Sequence, residues 1–278
     1  MIDQAQAIPE SQPQFARGLP GHAIEAFYMD IELPPAVAPA PKNVKPLGRK
    51  AYGSTAHLPG SRMGPADHHC HEGQRVICEV KARDKHDRVI VTEKLDGSNV
   101  AVAKKDGRIL ALTRAGYLAI DSPYPQHHFF AWWIEGQKTL FDKMLAEGEM
   151  INGEWLAMAH GTRYDSSHAG FSPLVVFSIA QGKKRLPWDD VVARCTAYGV
   201  PVAKVLSDGP PISVEAVKAL IEQSAHGATE AVEGAVWRVE SRGQFDFLAK
   251  WVRAEKEDGK YLADKFGGAT LWNVRAAS

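Results

Sequence analysis

The sequence is poor in cysteine, has no net charge and contains no long apolar run, and each shortage argues against a class of protein. Three of the 278 residues are cysteine, namely Cys70, Cys78 and Cys195. This odd, widely spaced set argues against a disulfide framework and predicts a reducing, cytoplasmic compartment. The 33 basic and 33 acidic residues cancel, which disfavours a protein that coats nucleic acid by bulk charge but leaves room for a local basic groove.

Membrane and export signals are also missing from the sequence. No apolar run approaches the length of a bilayer span. The opening residues, MIDQAQAIPESQPQFARG, lack the basic and apolar regions of a secretory signal. We therefore expect a protein that neither crosses a membrane nor is exported.

Residues 1–46 differ in composition from the rest of the chain. The stretch ELPPAVAPAPKNVKPLG is rich in proline and alanine, which predicts a flexible, polyproline-like arm and linker. Residues 47–265 are predicted to form one domain, followed by a C-terminal tail at 266–278. Turn-forming residues between Tyr52 and Gln74 predict a long ordered loop, and such loops are often functional.

From Val89 onward the sequence predicts strands interrupted by three helices. Asp-Gly pairs separate three β-rich runs at 89–95, 100–105 and 108–114, a pattern typical of an antiparallel meander. Further strands are predicted at 149–158, 172–180, 230–241 and 245–255. Helical spacing of apolar residues predicts helices at 127–148, 187–199 and 212–227, the last with Ser213 as its N-cap. The predicted fold class is α+β, with antiparallel sheets flanked by helices.

One lysine stands at an unusual place in this pattern. Lys94 ends the apolar run VIVTEK and precedes the pair Asp96 and Gly97. It is either a solvated side chain beside a hairpin turn or a nucleophile. A lysine amine attacks only when it is neutral, and burial at the end of an apolar strand, with Lys250 nearby, would lower its pKa.

Other residues of the domain suit a nucleotide site. Arg114 and Lys250 are able to hold phosphates. Glu154 and Glu233 suit either ribose hydroxyls or a divalent metal that bridges phosphates, and Phe177 offers a flat face for a base. Each also has an ordinary alternative, because a phenylalanine in LVVFSI is typical of a core and the charged residues are typical of a solvated strand face.

Six short segments that follow one another in a fixed order favour the functional interpretation of these residues. EKLDG, LTRAG, INGEW, PLVVFSIA, VEGAVWR and FLAKWVR resemble motifs I, Ia, III, IIIa, IV and V of the covalent nucleotidyltransferases, which include RNA ligases, DNA ligases and mRNA capping enzymes. The resemblance implies an ATP-grasp-like ligase adenylylation domain in which Lys94 becomes linked to a nucleoside monophosphate. The sequence departs from the family pattern at Val252, where a second lysine is common, and at Ser178, where an aspartate is common.

Within this superfamily, the segment TEKLDGSN resembles the RNA ligase family. The resemblance implies an ATP-dependent RNA ligase that joins 5′-phosphate and 3′-hydroxyl ends through lysyl-AMP, with Mg²⁺ held by Glu154 and Glu233. It implies these ATP-binding residues: Glu93, Asn99, Arg114, Glu154, Phe177, Glu233 and Lys250. Because few residues follow Arg253, we expect no C-terminal OB-fold, and a partner subunit or a dimer is a candidate replacement for that domain.

The loop before Lys94 also has a family counterpart. HLPGSR resembles a segment that precedes motif I in some RNA ligases, which implies that His57, Ser61 and Arg62 contact phosphates of the nucleotide or of the RNA end. Arg253, in the segment FLAKWVR, is a further candidate phosphate contact, and Arg253 or Lys256 is a candidate replacement for the lysine missing at Val252. A structural loop closed by proline and glycine is the alternative. The neighbouring run DHHCHEGQRVIC, residues 67–78, contains zinc-ligand residue types, but its spacing matches no standard zinc module.

RNA ends or nicks are therefore the expected partners, and two other functions stay open. One is a polynucleotide ligase that seals DNA or mixed nicks. The other is a non-catalytic nucleic-acid-binding domain that retains the fold.

Overall fold

Two five-stranded sheets form the framework of the domain. The computed structural model describes residues 45–265, 267–268 and 270–274. The first sheet has the order β1 (Ala56–His57), β10 (Gln244–Val252), β9 (Gly234–Ser241), β2 (Asp87–Lys94), β8 (Val205–Gly209). The second has the order β4 (Arg108–Thr113), β3 (Ser98–Lys105), β5 (Glu149–Trp155), β6 (Leu174–Gln181), β7 (Lys184–Arg185). Within these two sheets only the pair of β1 and β10 is parallel, so the predicted α+β class with antiparallel sheets is confirmed.

Five α-helices accompany the sheets in the described residues. They are α1 (Glu72–Glu79), α2 (Pro125–Gly136), α3 (Lys138–Met144), α4 (Trp188–Ala197) and α5 (Val214–Lys218). Among the residues that the structure describes, no helix has the length and apolar character that a bilayer crossing requires. The predicted arm at 1–46 lies outside the described residues except for its last two positions.

Each sheet buries apolar side chains against helices. In the first sheet, Val91 and Trp237 belong to a fully buried cluster that also contains residues of α1 and α5. In the second sheet, the ring of Trp155 lies 5.2 Å from Phe130 and 5.4 Å from Trp133, both on α2. Burial of such large aromatic side chains stabilises the fold by several kcal/mol, on the order of 3 each. Both sheets are thus held rigidly enough to position side chains between them.

The two Asp-Gly pairs behave differently, and the predicted three-stranded meander is wrong. Asp106 and Gly107 have φ values of 52° and 68° and form the two-residue hairpin between β3 and β4. At Asp96 and Gly97 the chain instead leaves the first sheet and enters the second, because β2 already pairs with β8 and β9 on its two sides. The residue pair that looked like a hairpin turn therefore connects the sheets.

Two helix predictions need correction, and one is confirmed. The helix predicted at 187–199 is α4. The predicted helix at 127–148 is broken into α2 and α3 at Gln137 (φ −103°, ψ 9°). The helix predicted at 212–227 ends at Lys218, because the hydroxyl of Ser224 and the amide of Ala225 bind the Glu93 carboxylate instead. Its predicted N-cap is confirmed, since the Oγ of Ser213 accepts from the Ala216 amide at 3.2 Å.

The long loop and the C-terminal tail are more structured than their composition indicates. Helix α1 begins inside the predicted loop, at Glu72. Part of the predicted tail packs on the domain through Asn273, which is buried. Its side chain accepts from the Tyr164 amide at 3.1 Å and donates to the Leu156 carbonyl at 2.8 Å. These contacts fix the segment that follows the last strand against the strand connections near the cleft.

Candidate active site

A cleft of about 920 Å³ lies between the two sheets. Residues of β2, β9 and β10 contribute to one wall, and residues of β3, β4, β5 and β6 contribute to the other. Eight residues predicted as catalytic or ATP-binding line it: Glu93, Lys94, Asn99, Arg114, Glu154, Phe177, Glu233 and Lys250. They come from positions 93 to 250 of the sequence, so their convergence is a property of the fold.

Lys94 lies at the point where the chain passes from one sheet to the other. It is the last residue of β2 and pairs with Gly234 on β9, which places it next to Glu233. Its Nζ is 2.5 Å from the Oε2 of Glu233 and 3.3 Å from the carbonyl of Leu95. The side chain is 22% exposed. It therefore points into the cleft, and the interpretation as a solvated side chain beside a turn is wrong.

The expectation that Lys94 is held neutral is also wrong for the protein without bound nucleotide. Burial lowers the pKa of Lys94, but the negative charges of Glu233, Glu154 and Asp96 outweigh that effect and raise its pKa above the ordinary value. The resting side chain is thus an ammonium ion. The positive charge of Lys250 opposes this increase in the pKa of Lys94, but it is smaller than the combined effect of the three acids.

Glu154 is the acid of the opposite wall. Its position on β5 pairs with Asn99 on β3, and its Oε1 accepts from the amide of Gly97 at 3.1 Å. Burial raises the pKa of Glu154 to about 7, with Lys94 opposing the shift and Glu233 adding to it. The carboxyl group is therefore able to gain or lose a proton near neutral pH.

The raised pKa of Glu154 predicts a measurable cost in stability. Its folded pKa of about 7 exceeds the ordinary 4.5, so the folded state retains the proton more tightly than the unfolded state. Stability from this group is full below pH 4.5 and is lost as the pH rises through 7. We expect Glu154→Gln to raise the free energy of unfolding at pH 8 by about 2 kcal/mol, or the Tm by roughly 4–8 °C.

Thermal melts of both proteins at pH 8 and pH 4 check this expectation. The difference between them should vanish at pH 4, where both states carry a protonated Glu154. Glu222→Gln is the matched control, because Glu222 is exposed and its substitution should shift the Tm little at either pH. An equal difference between wild type and Glu154→Gln at both pH values would contradict the assignment.

Lys250 provides a second cation on the wall of the first sheet. Its Nζ is 3.7 Å from the Oδ1 of Asp67, in the loop before α1. Burial and the nearby Lys94 lower the pKa of Lys250. Asp67 also lies 3.2 Å from the Nε2 of His57. The loop before α1 thus contacts the ammonium group of Lys250 through Asp67.

Lys256 belongs to the site although it stands outside the six motifs. Its side chain is 2% exposed, and its Nζ lies 3.0 Å from Asp96, 3.5 Å from Glu233 and 3.3 Å from Asp258. The sequence reveals neither the turn after β10 nor the burial of this amine. Lys256 and Lys94 therefore share the carboxylate of Glu233, one at each oxygen.

Four predicted contact residues do not line the cleft. The Nδ1 of His57 is 2.6 Å from the Oγ of Ser61, which also accepts from the Val252 amide at 2.9 Å. Arg62 pairs with Asp258 at 2.5 Å. Arg253 lines a separate depression of about 310 Å³. Contacts of these residues with the nucleotide or the RNA end stay predictions, whereas the structural role of His57 and Ser61 in closing the loop is evident from their hydrogen bonds.

Some of the side chains that line the cleft are apolar and are suited to a base. Phe177 is half-buried and meets the ring of Tyr52 edge-on, with centroids 5.2 Å apart. Val236 and Leu248 of the first sheet also line the cleft. Phe177 thus belongs partly to the core and partly to the cleft, so both interpretations of this residue apply.

Metal-ligating residues are sparse in the described part of the chain. No group of three or more histidine, cysteine or acidic side chains is placed to hold a metal there. In the 67–78 run, burial raises the pKa of the Cys78 thiol, which disfavours the thiolate that zinc requires. The carboxylates of Glu154 and Glu233 line one cleft, and oxygen donors of this kind fit a hard cation that takes its other ligands from phosphates and water.

Comparisons with known proteins identify the family of the domain. A family model described as RNA ligase matches residues 87–252, more than half of the chain. An uncharacterized protein of Methanocaldococcus jannaschii is 31% identical over 127 residues, which are 44% of this chain and 30% of that protein.

Two solved structures illustrate the structural similarity. An archaeal ATP-dependent RNA ligase has a TM-score of 0.42 at 22% identity, over 60% of this chain and 43% of its own. A mutant of the Naegleria gruberi RNA ligase, solved with ATP and manganese, has a TM-score of 0.47 at 16% identity, over 79% of this chain and 64% of its own. The chain thus spans about a third of the curated relative and less than two thirds of these two solved chains.

Proposed function

Because the chain belongs to the RNA ligase family, we propose that it is an ATP-dependent enzyme that joins the 5′-phosphate and 3′-hydroxyl ends of RNA through a lysyl-AMP intermediate. Residues 47–265 are assigned to the nucleotidyltransferase domain. The observation that carries the proposal is the placement of Lys94. It is a partly buried lysine, paired with an acid, in a cleft that also contains Arg114, Lys250 and an apolar slot.

In the first proposed step Lys94 takes the AMP group from ATP. The base lies against Phe177, and the cations of Arg114 and Lys250 hold the phosphates. Once Lys94 has lost a proton, the lone pair of its Nζ attacks the α-phosphorus and forms a P–N bond. The bond from the α-phosphorus to the bridging oxygen breaks, and pyrophosphate leaves with the electron pair. The remaining extra proton of Nζ passes to solvent.

The two later steps consume this intermediate. An oxygen of the RNA 5′-phosphate attacks the phosphorus of lysyl-AMP, the P–N bond breaks, and Lys94 recovers its proton as it leaves. A 3′-hydroxyl then attacks the activated 5′-phosphorus and releases its proton to solvent, AMP leaves with the bonding pair, and a phosphodiester results. The return of Lys94 to an ammonium ion paired with Glu233 closes the cycle.

Magnesium fits the donor set of the cleft and would be held by Glu154 and Glu233. When bound, it would neutralise charge on the phosphates. Glu93 plays a different part, because its carboxylate accepts from Ser224 at 2.5 Å and from the Ala225 amide at 3.0 Å. It thereby ties the end of β2, next to Lys94, to the segment that contains Ser224 and Ala225.

The test of the proposal is covalent labelling. Purified protein incubated with ATP labelled at the α-phosphate and magnesium is expected to retain the label in a denaturing gel, and addition of 5′-phosphorylated RNA should discharge it. ATP labelled at the γ-phosphate should leave the protein unlabelled, because that phosphate departs in pyrophosphate. A protein that binds RNA but never takes the label would instead be a non-catalytic binding domain.

Nicked substrates distinguish the remaining alternative. Nicked RNA, nicked DNA and a hybrid duplex are sealed in parallel by equal amounts of labelled protein. We expect RNA to be preferred as the nick strand. Equal or faster sealing of the DNA nick would identify a polynucleotide ligase that accepts DNA as well as RNA.

A further inference from the structure

An exposed aromatic ring stands at the edge of the cleft. Tyr124 is 57% exposed and lines the cleft together with its neighbours Pro123 and Pro125. Pro125 is the first residue of α2. The sequence SPYP therefore presents a tyrosine beside the nucleotide site, and the proposed steps above give this residue no part.

The backbone around Tyr124 is constrained on both sides. Each proline fixes its own φ near −65°, and a proline at the first helical position is pre-set for the helix. The amide of Tyr124 donates to the Oγ of Ser122 at 3.3 Å. The edge of its ring meets the ring of His127, with centroids 5.8 Å apart. The backbone that carries the ring is thus constrained, and the ring contacts His127 although the residue is largely exposed.

The core gains little from a ring in this position. A tyrosine with more than half of its surface exposed recovers only a minor part of its burial free energy. A flat ring that is exposed beside a ligand cleft is instead the arrangement by which proteins stack unpaired bases. The position of the ring therefore points to a ligand with an aromatic face.

Positive charge and a second aromatic ring lie on the same rim. Arg114 is exposed and lines the cleft. Tyr117 also lines it, and the Nζ of Lys45 lies 5.0 Å from the centre of the Tyr117 ring. Cations interleaved with aromatic rings are typical of surfaces that bind single-stranded nucleic acid.

We propose that the Tyr124 ring stacks on an unpaired base of the RNA strand whose end enters the cleft. This inference rests on the proposed function. The terminal phosphate must reach the region of Lys94 and Arg114, so the nucleotide attached to that phosphate lies toward the rim. Stacking on a ring is tolerant of base identity, so Tyr124 would hold RNA ends of different sequence.

The test compares three variants in their affinity for a fluorescent 5′-phosphorylated oligoribonucleotide. Tyr124→Ala is expected to weaken binding by about tenfold, the loss typical of one stacked base. Tyr124→Phe keeps the ring and should bind within about twofold of wild type. Ile120→Ala is the matched control, because Ile120 is 59% exposed, stands four residues earlier and does not line the cleft, and it should leave affinity unchanged.

An abasic oligonucleotide tests the stacking itself. Loss of the terminal base should weaken binding to wild type about as much as Tyr124→Ala does, and should weaken binding to that variant no further. Tyr124→Ala protein that binds the intact strand as tightly as wild type, or two losses that simply add, would overturn the proposal. Fluorescence anisotropy measures RNA binding and needs no catalysis. A failure of ATP labelling would therefore count against the proposed function without deciding whether Tyr124 stacks on a base.

Discussion

Lys94→Ala is expected to eliminate covalent labelling by ATP and to reduce RNA sealing by more than about a thousandfold, because loss of the attacking group removes the pathway itself. The side chain is the only amine in the cleft paired at 2.5 Å with Glu233 among the described residues. Neither Lys250 nor Lys256 is free to replace it. Lys256 is engaged by three carboxylates, and Lys250 faces Asp67.

The chain supplies its own control for this experiment. The segment KKDG contains a second Lys-x-Asp-Gly, with Lys104 in the position of the lysine. Lys104 precedes a true hairpin, and its Nζ pairs with Asp142 at 2.9 Å, outside the cleft. Lys104→Ala should therefore take the label at the wild-type rate. Label that persists on Lys94→Ala and disappears from Lys104→Ala would refute the assignment of the nucleophile.

The charge around Lys94 has a consequence for when it reacts. Without nucleotide, the raised pKa of Lys94 keeps the amine protonated against Glu233, and an ammonium ion has no lone pair with which to attack. Glu233 also forms an ion pair with Lys256, so its carboxylate interacts with two cations at once. The resting site is therefore ordered and unreactive at once. In the proposed mechanism, the neutral amine of Lys94 has to arise from the change in charge that accompanies substrate binding.

Local sequence was sufficient for the strands that line the cleft, but it did not predict the three short strands β1, β7 and β8. Short β-rich runs bounded by turn residues predict β3, β4, β5 and β6 within two or three residues of their observed ends. Because alternate residues of a strand face the same side, Glu233 and Lys250 also fall on predictable strands or at their ends. The ordered motifs then pointed to eight residues that the fold brings to one cleft.

The incorrect or missing predictions share a physical cause. Contacts between residues far apart in the sequence determine the structure where the local sequence is compatible with more than one conformation. Asp96 and Gly97 have hairpin composition, yet their amides bind the Tyr164 hydroxyl and the Glu154 carboxylate. The helix predicted at 212–227 ends early because Glu93 binds the backbone and side chain beyond it. Lys256 lies outside every motif, and only the folded turn after β10 brings it to Glu233.

Gly97→Ala is expected to slow covalent labelling by about a hundredfold, because a shift of about 1 Å in a reacting group costs that much. A Cβ at this position would lie 2.3 Å from the carbonyl oxygen of Trp155 and 3.0 Å from the Leu156 side chain. The backbone of β5 cannot retreat, because β3 and β6 pair with it on either side. The connection that carries Lys94 must move instead, and the hydrogen bond from Gly97 to Glu154 is lost with it.

The same clash should lower the free energy of unfolding by about 1–3 kcal/mol, as overpacking usually does, so labelling is measured well below the Tm of the variant. Gly136→Ala is the control, since a Cβ there meets no atom within 4 Å, and it should match wild type in both rate and Tm. Gly97→Ala protein that labels at the wild-type rate would mean that Lys94 is positioned independently of the connection between the sheets. In that case Gly97 would be needed only for packing. We expect instead that Gly97 also positions the site, because the pairing of β3 with β5 brings Gly97 against the backbone that carries Glu154.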